Sequence, residues 1–261
     1  QRTQRAQEDF LANISHDLKT PLTSIQGFAQ AMREGTISTA AEREHAADII
    51  YRQAQSMSEL IGDLLELASL DAGQLDLGQV QLAKIVREEV ERLEPLARRK
   101  DLHVDTLGVA QTALLQGDAK RLRRALRGLL DNAVKYAKAH TAIDVATKNL
   151  TPGDPRPEAL NYGLGCDDAK KGDWTYVEIV NVSDPIPRNE LPRLFERFYR
   201  GDKSRRHGEG SGLGLAIAKQ IVLAHKGRLE VSGGDPGQVP ARVCFRIWLP
   251  KQEQTSPDDA A

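Results

Sequence analysis

Apolar residues recur with helical spacing through the first seventy positions and then give way to shorter alternating runs, so the chain divides into a helical part and a mixed part. Ile14, Leu18, Leu22 and Ile25 fall at i, i+4, i+8 and i+11, a stripe at about 3.6 residues per turn that predicts a helix from near the start to Arg33. Gly35–Thr39 reads as a loop, with a Ser or Thr placed to cap the next helix. In that second helix Ala46, Ile50, Gln53, Met57, Leu60 or Ile61, Leu64 and Ala68 alternate steps of four and three, a coiled-coil-like seam. A hairpin of two such helices cannot bury its stripe alone. Two hairpins make a four-helix bundle, so a homodimer is expected; the alternative is an ordinary helix pair packed on the second domain.

Asp71–Gly78 carries glycines at helix-stop positions and reads as a linker. Beyond it, residues 82–100 form an amphipathic pattern, 102–107 and 112–115 are strand-like, and Asp118 is placed to cap a long helix to Ala137. Strands are predicted at 142–147, 175–182, 228–232 and 243–249, with a helix at 212–225. The order suggests an α+β fold: a helical hairpin forming a dimeric four-helix bundle, followed by an α/β sandwich. The expected division is 1–72 hairpin, 73–79 linker, 80–250 sandwich domain and 251–261 flexible tail. Residues 148–173, rich in Pro, Gly, Asp and Asn, are expected to be a solvated loop insertion without chemistry of its own.

Composition narrows the class. Among 261 residues 28% are charged and the net charge is -1, so no basic field attracts nucleic acid or an anionic membrane. Cys166 and Cys244 lie far apart without metal-ligand spacing and read as reduced thiols. No apolar run approaches the ~18 residues that span a bilayer, and no signal peptide is visible. Gln1–Gln7 is polar, helix-prone and uncapped, and leads straight into the first helix. The expectation is a segment of a longer protein with a further region before it.

His16 lies two residues from both Ile14 and Leu18, about 200° around the helix, and should face solvent. Pro21 offers no N–H to the carbonyl of Asp17, so the helical ladder is interrupted beside it. An imidazole with a pKa near ~6.5 is largely neutral at pH 7 and keeps one free lone pair. Asp17 can accept a hydrogen bond from the other ring nitrogen, fixing the tautomer and stabilising the imidazolium formed during attack. One exposed His beside one Asp is by itself ordinary surface. Ser15-His-Asp-Leu-Lys-Thr-Pro-Leu22, however, closely resembles the phosphoacceptor box of sensor histidine kinases. That resemblance implies that His16 takes a phosphoryl group from ATP, and that Thr20 supports removal of phosphate from a partner protein.

Asn132, Lys135 and Tyr136, at i, i+3 and i+4, share one helix face; an amide oxygen, a cation and an aromatic ring there suit Mg²⁺, phosphate and adenine or ribose. Taken bare the pattern is weak. Leu129-Leu-Asp-Asn-Ala-Val-Lys-Tyr136 resembles the Asn-containing box of the kinase ATP-binding domain, which carries those roles to the three residues, with Asn132 as the metal ligand. Gly208-Glu-Gly-Ser-Gly-Leu-Gly-Leu215 opens a helix, where glycine backbones approach phosphates closely and free N–H groups face an anion. It does not follow a strand directly, which argues against a dinucleotide fingerprint. Its order after Leu194-Phe-Glu-Arg-Phe-Tyr-Arg200 and the basic run Lys203, Arg205, Arg206 and His207 resembles the kinases again. The resemblance implies a nucleotide site that includes Asn181, Ile186, Phe198, Arg200, Lys203, Gly210, Gly212, Leu213, Gly214 and Leu215, with a glycine-hinged lid. A solvated charge run is the plain alternative for 203–207.

Two positions depart from the family pattern. Asn181-Val-Ser-Asp-Pro185 stands where Asp-x-Gly-x-Gly is usual, and Gly128 where another Asn is usual. Asn181 can still accept from the adenine amino group, without the charge that strengthens such a bond. Related ATPases of the gyrase, chaperone and mismatch-repair type carry a water-activating Glu at the position of Gly128, so ATP hydrolysis is the weaker reading. The expected function is a homodimeric protein-histidine kinase core that uses ATP and Mg²⁺, phosphorylates His16 and relays to an aspartate of a response-regulator receiver domain. An ATP-binding dimeric scaffold, or a kinase biased toward phosphatase activity, is the alternative.

Overall fold

The computed structural model describes residues 2–71, 73, 75–165, 173–201, 211–235, 237 and 239–251. Two helices of 32 residues, α1 (Arg2–Arg33) and α2 (Ala40–Asp71), pack on each other as a hairpin. Thr39 is the cap. Its hydroxyl accepts the Glu42 N–H at 3.2 Å, while the Glu42 carboxylate accepts the N–H groups of Ser38 at 3.1 Å and Thr39 at 3.0 Å. This reciprocal box holds the Glu42 carboxyl below its ordinary range.

The inward line of α1 differs by one position from the expected stripe. Pro21 is buried, Ile14, Leu18 and Ile25 are half-buried, and Leu22 is 43% exposed. Steps of 4, 3 and 4 from Ile14 follow the 3.5-residue period of a helix seam, whereas strict steps of four drift off it. The helix runs unbroken through Pro21, which costs only the bond to the Asp17 carbonyl. On α2, Leu60, Leu67 and Leu70 are buried in the core of the second domain, while Ala68, expected in the seam, is exposed. The lower half of α2 therefore turns its apolar line toward that domain.

The segment expected as a linker ends in a strand. β1 (Gly78–Gln81) pairs antiparallel with β3 (Leu114–Gly117), in register Val80 with Leu115. Helix α3 (Leu82–Arg99) follows at once; the Thr112 hydroxyl, 29 positions on, accepts the Ala83 N–H at 3.0 Å. β2 (His103–Val109) precedes β3, and α4 (Ala119–Tyr136) begins at Asp118, whose carboxylate accepts the Arg121 N–H at 3.0 Å as its residue type predicts.

Strands β4 (Ala142–Leu150), β5 (Tyr162–Gly165), β6 (Trp174–Ser183), β7 (Arg228–Ser232) and β8 (Ala241–Pro250) join β2 in a six-stranded sheet of order β2-β4-β6-β8-β7-β5. β2 and β4 run parallel, and the other neighbours antiparallel. A short 3-10 helix (Leu191–Phe195) and α5 (Gly214–Ala224) lie between β6 and β7. Side chains alternate across the sheet. Ile143, Val145, Val177, Ile179, Leu229, Val231, Phe245 and Ile247 form one buried face packed with α3, α4 and α5.

The 148–173 segment is not the plain loop expected: it lengthens β4 and adds β5 at the far edge of the sheet. Between those strands it covers the outer face. There Arg246, 6% exposed, lies in register with Glu178 and Glu230 and bonds both, at 2.8 and 3.3 Å. Its guanidinium also donates to the Glu158 carbonyl of the crossing segment at 2.9 Å, and Trp248 Nε1 donates to Glu230 at 3.0 Å. Every buried charge has a partner here. Sequence periodicity misses the arrangement because its partners lie on four different segments.

Candidate functional site

His16 stands on the open side of α1 with its side chain 81% exposed, as its offset from the stripe predicts. Its Nδ1 lies 3.3 Å from Asp17 Oδ1. With the proton on Nδ1 that nitrogen donates to the carboxylate, and the Nε2 lone pair faces solvent. The Thr20 hydroxyl donates to the His16 carbonyl at 3.2 Å, leaving its oxygen lone pairs outward. All three groups thus occupy one exposed patch beside the bond missing at Pro21.

The other described candidates lie on α4, on β6 and the segment after it, and at the start of α5, which packs on α4. Asn132 and Lys135 are half-buried on α4; Tyr136 is 42% exposed, with Lys135 Nζ 5.2 Å from its ring centroid. The Lys138 N–H bonds the Val182 carbonyl at 2.9 Å, tying the end of α4 to β6 beside Asn181. Asn181 is 2% exposed and faces the helices, between Ile143 and Val243 in register. It is a polar amide on an apolar floor. Ile186 is anchored by its N–H to the Gly233 carbonyl at 2.9 Å.

The glycine turn is shaped by close approach. Gly212 has φ +70°, and a Cβ there would sit 3.0 Å from the Phe198 backbone; Phe198, itself at φ +64°, donates its N–H to the Gly212 carbonyl at 3.2 Å. Leu213 is fully buried and stands at the cap position just before α5, its carbonyl accepting the Ile217 N–H at 2.8 Å. Gly214 crosses Gly128 of α4 so closely that a Cβ on Gly128 would lie 3.0 Å from the Gly214 carbonyl oxygen. Leu215 and Arg200 are half-buried alongside. Lys203 and Gly210, with the basic run 203–207, lie outside the described residues.

Several contacts escape sequence reading. Asp63 of α2 pairs with Arg124 of α4 and accepts the Ser211 hydroxyl at 3.3 Å, so the hairpin touches the glycine turn. Its place between Leu60 and Leu64 is the available signal: a carboxylate on an otherwise apolar line. His225 is buried, its Nδ1 2.7 Å from the Ile221 carbonyl and its Nε2 accepting the Asp118 N–H at 2.9 Å. Burial pushes its pKa down, keeping the ring neutral. Glu89, 2% exposed, is held by Arg92, Arg123 and Arg127 between α3 and α4, and these cations draw its carboxyl down to about 2 against the cost of burial.

Residues 6–73 match the His Kinase A (phospho-acceptor) domain, and residues 117–253 match the family of histidine kinase-, DNA gyrase B- and HSP90-like ATPases. The chain belongs to the sensor histidine kinases. It is 30% identical over 249 residues to the signal transduction histidine-protein kinase/phosphatase MprB of Mycobacterium leprae, covering 94% of this chain and 43% of that protein. It is 33% identical to the sensor histidine kinase CusS of Escherichia coli O157:H7, covering 94% and 46%. The chain thus spans less than half the length of these curated relatives. Among solved structures, the Acinetobacter baumannii histidine kinase AdeS shares the fold at 20% identity with a TM-score of 0.65, covering 91% of this chain and 98% of that one. The mycobacterial kinase MprB matches at 28% identity with a TM-score of 0.50, covering 68% and 99%. A phosphoacceptor hairpin followed by an ATP-binding domain is therefore the architecture.

Proposed function

We propose that this chain is the core of a protein-histidine kinase: His16 Nε2 attacks the γ-phosphorus of ATP, the bond to the bridging oxygen breaks, and ADP leaves. The phosphoryl group then passes to an aspartate of a response-regulator receiver domain. The observation that carries the reading is the exposed His16 bonded through Nδ1 to Asp17. The carboxylate orients the ring, keeps Nε2 unprotonated for attack and steadies the positive charge that develops. On the donor side Asn181 would accept from the adenine amino group, with Ile186 and Phe198 beside the base and Tyr136 near the ribose. Lys135 and Arg200 would meet the phosphates, and Gly212–Leu215 would offer backbone N–H groups at the start of α5.

Asn132 would hold Mg²⁺ together with phosphate oxygens. Its neutral amide oxygen is a hard ligand, and among the described residues no cluster of acidic, His and Cys side chains could hold a metal. A single protein ligand suits an ion that keeps its waters and binds mainly through substrate phosphates, where it offsets their charge. Gly128 supplies no carboxylate to activate water, which favours transfer to His16 over hydrolysis.

Thr20, with its lone pairs free beside His16, supports a role in orienting water for a phosphatase step on the partner. A homodimer is supported by the large apolar side chains that the hairpin leaves exposed: Leu22, Tyr51, Ile61 and Leu65 at 43, 66, 46 and 67%. A response-regulator partner is supported by the solved complex of the related histidine kinase ThkA with the response regulator TrrA, a structure with a TM-score of 0.68 at 17% identity, covering 95% of this chain and 63% of that one. No described helix is long and apolar enough to cross a membrane. We place this segment on the cytoplasmic side of a membrane-bound sensor, by analogy with the family.

The test is incubation with γ-labelled ATP and Mg²⁺. Acid-labile label on the wild-type chain and none on His16→Ala is expected. Label that persists in His16→Ala, or is never gained by wild type, overturns the proposal.

A further inference from the structure

The Asp63 carboxylate is 14% exposed and divides its two oxygens between two elements of the ATP-binding domain. Oδ1 pairs with the Arg124 guanidinium on α4, and Oδ2 accepts the Ser211 hydroxyl at 3.3 Å. That hydroxyl in turn accepts the Leu213 N–H at 3.3 Å. Leu213 is the cap residue of α5, whose first N–H groups would face an anion in the proposed phosphate subsite. A carboxylate of the hairpin is therefore one hydroxyl away from a backbone donor that the nucleotide phosphates would need.

Position along the hairpin adds to this. α1 ends at Arg33 and α2 begins at Ala40, so residues level with each other sum to about 73, which sets His16 opposite Met57. Asp63 is six residues farther, roughly 9 Å along the axis at about 1.5 Å per residue. His16 is 81% exposed and forms its hydrogen bonds within its own helix. In this arrangement the glycine turn is fastened to the hairpin below the level of the acceptor, and the acceptor is open.

We propose that Asp63 is a positioning residue that competes with the nucleotide phosphates for the Ser211–Leu213 turn, so that phosphate binding and hairpin docking oppose each other. Three features drive the competition. The Leu213 N–H cannot fully serve both Ser211 Oγ and a phosphate oxygen. Ser211, once turned toward a phosphate, no longer donates to Asp63. The Asp63 carboxylate and the phosphates repel each other across a half-buried turn, where screening is weaker than in water. Coupling of this kind is reciprocal: whatever loosens Asp63 from Ser211 tightens the nucleotide, and bound nucleotide frees the domain to travel toward His16.

The inference rests on the kinase reading, and its test separates the two. Mg²⁺-ATP is titrated calorimetrically into the full chain, wild type against Asp63→Ala, Asp63→Asn, Ser211→Ala and the double variant Asp63→Ala/Ser211→Ala. Asp63→Ala is expected to tighten ATP about tenfold, the low end of the roughly 10- to 100-fold that the loss of a hydrogen bond to a charged group is worth, because the Ser211 bond is long at 3.3 Å. Asp63→Asn, which keeps the side-chain volume and guards against misfolding of the alanine variant, is expected to give a smaller gain of the same sign. The double variant is expected to match the single Asp63→Ala rather than the product of both singles. In autophosphorylation the gain should fall on KM for ATP, whereas a merely structural loss would lower kcat. Unchanged or weaker ATP binding in folded Asp63→Ala and Asp63→Asn, or strict additivity in the double variant, overturns the inference while leaving the kinase reading intact. Absence of ATP binding by the wild-type chain overturns the kinase reading itself.

Discussion

Restoring a carboxylate at Asn181 tests the adenine subsite in both directions at once. Asn181 is 2% exposed, with Ile143 at 0% and Val243 at 2% on either side in register. In Asn181→Asp the bond to the adenine amino group becomes charge-assisted. Such bonds contribute about 1.5–3 kcal/mol against about 1 for a neutral pair. A gain of about 1 kcal/mol corresponds to roughly fivefold tighter Mg²⁺-ATP. The same carboxylate, buried without a partner in the free protein, costs about 1–3 kcal/mol of stability and has its pKa raised by desolvation. The free variant should therefore melt below wild type and recover most of the difference with saturating ATP. Base selectivity should sharpen as well. An Asn amide can turn its NH₂ toward the carbonyl of guanine, whereas a carboxylate cannot donate, so the variant should lose GTP while gaining ATP. Calorimetric titration with both nucleotides at pH 7.5, and again near pH 6 where the raised pKa erodes the gain, measures each term. A folded variant with unchanged ATP affinity and unchanged ATP-to-GTP ratio would show that Asn181 does not contact the base.

Three further outcomes rest on packing. Gly128→Ala gains about 1 kcal/mol of helix propensity, but its Cβ meets the Gly214 carbonyl oxygen at 3.0 Å, and overpacking costs about 1–3 kcal/mol; net destabilisation in urea melts with a raised KM for ATP is expected, and a stabilised variant would refute the close crossing. His225 accepts the Asp118 N–H through Nε2, so protonation would set two donors face to face beside the charges of Asp118 and Arg121. Its folded pKa lies below the unfolded value of about 6.5, so its contribution is whole above that pH and is lost as pH falls through it; urea midpoints should drop from pH 7 to 5.5, and less steeply in His225→Gln. Arg246→Met leaves Glu230, 3% exposed, with Arg228 at 2.9 Å as its remaining cation and removes the guanidinium bonded to Glu178, and should cost about 1–3 kcal/mol, part of it recovered in Arg246→Met/Glu230→Gln; equal melts for the two variants would refute the network.

How far the chain can be read depends on where the partners of each residue lie. The caps at Thr39 and Asp118, and the exposure of His16, depend on residues within one turn, and periodicity finds them. The N-terminal cap of α3 comes from Thr112, the partner of β1 from β3, and the cover of Arg246 from Glu158, all far along the chain; no local pattern reports them. The apolar line on α2 is legible, but its direction is not. Helical spacing says which side chains share a face and is silent about whether another hairpin or another domain covers it, so Ala68 is expected inside where Leu67 and Leu70 are buried.

The departures from the family pattern make better sense in three dimensions than in order along the chain. Gly128, where the motif usually carries an amide, sits against the start of α5, and a Cβ there would lie 3.0 Å from the Gly214 carbonyl oxygen. Ser183 and Pro185 stand where the adenine box carries glycines, yet the close backbone approach that demands a glycine is still present nearby. A Cβ on Gly233 would lie 2.3 Å from the Ile186 carbonyl oxygen, and the Gly233 carbonyl accepts the Ile186 N–H at 2.9 Å. The tight pairing at Ile186 is thus held from the loop after β7, and 183 and 185 carry side chains. Ser183 donates to the Asp184 carbonyl at 3.0 Å, and Asp184 pairs with Lys138 at 2.9 Å, binding the altered box to the end of α4. On the proposed reading the floor is kept, and the change expected to bear on nucleotide affinity is the missing charge at Asn181 rather than the missing glycines.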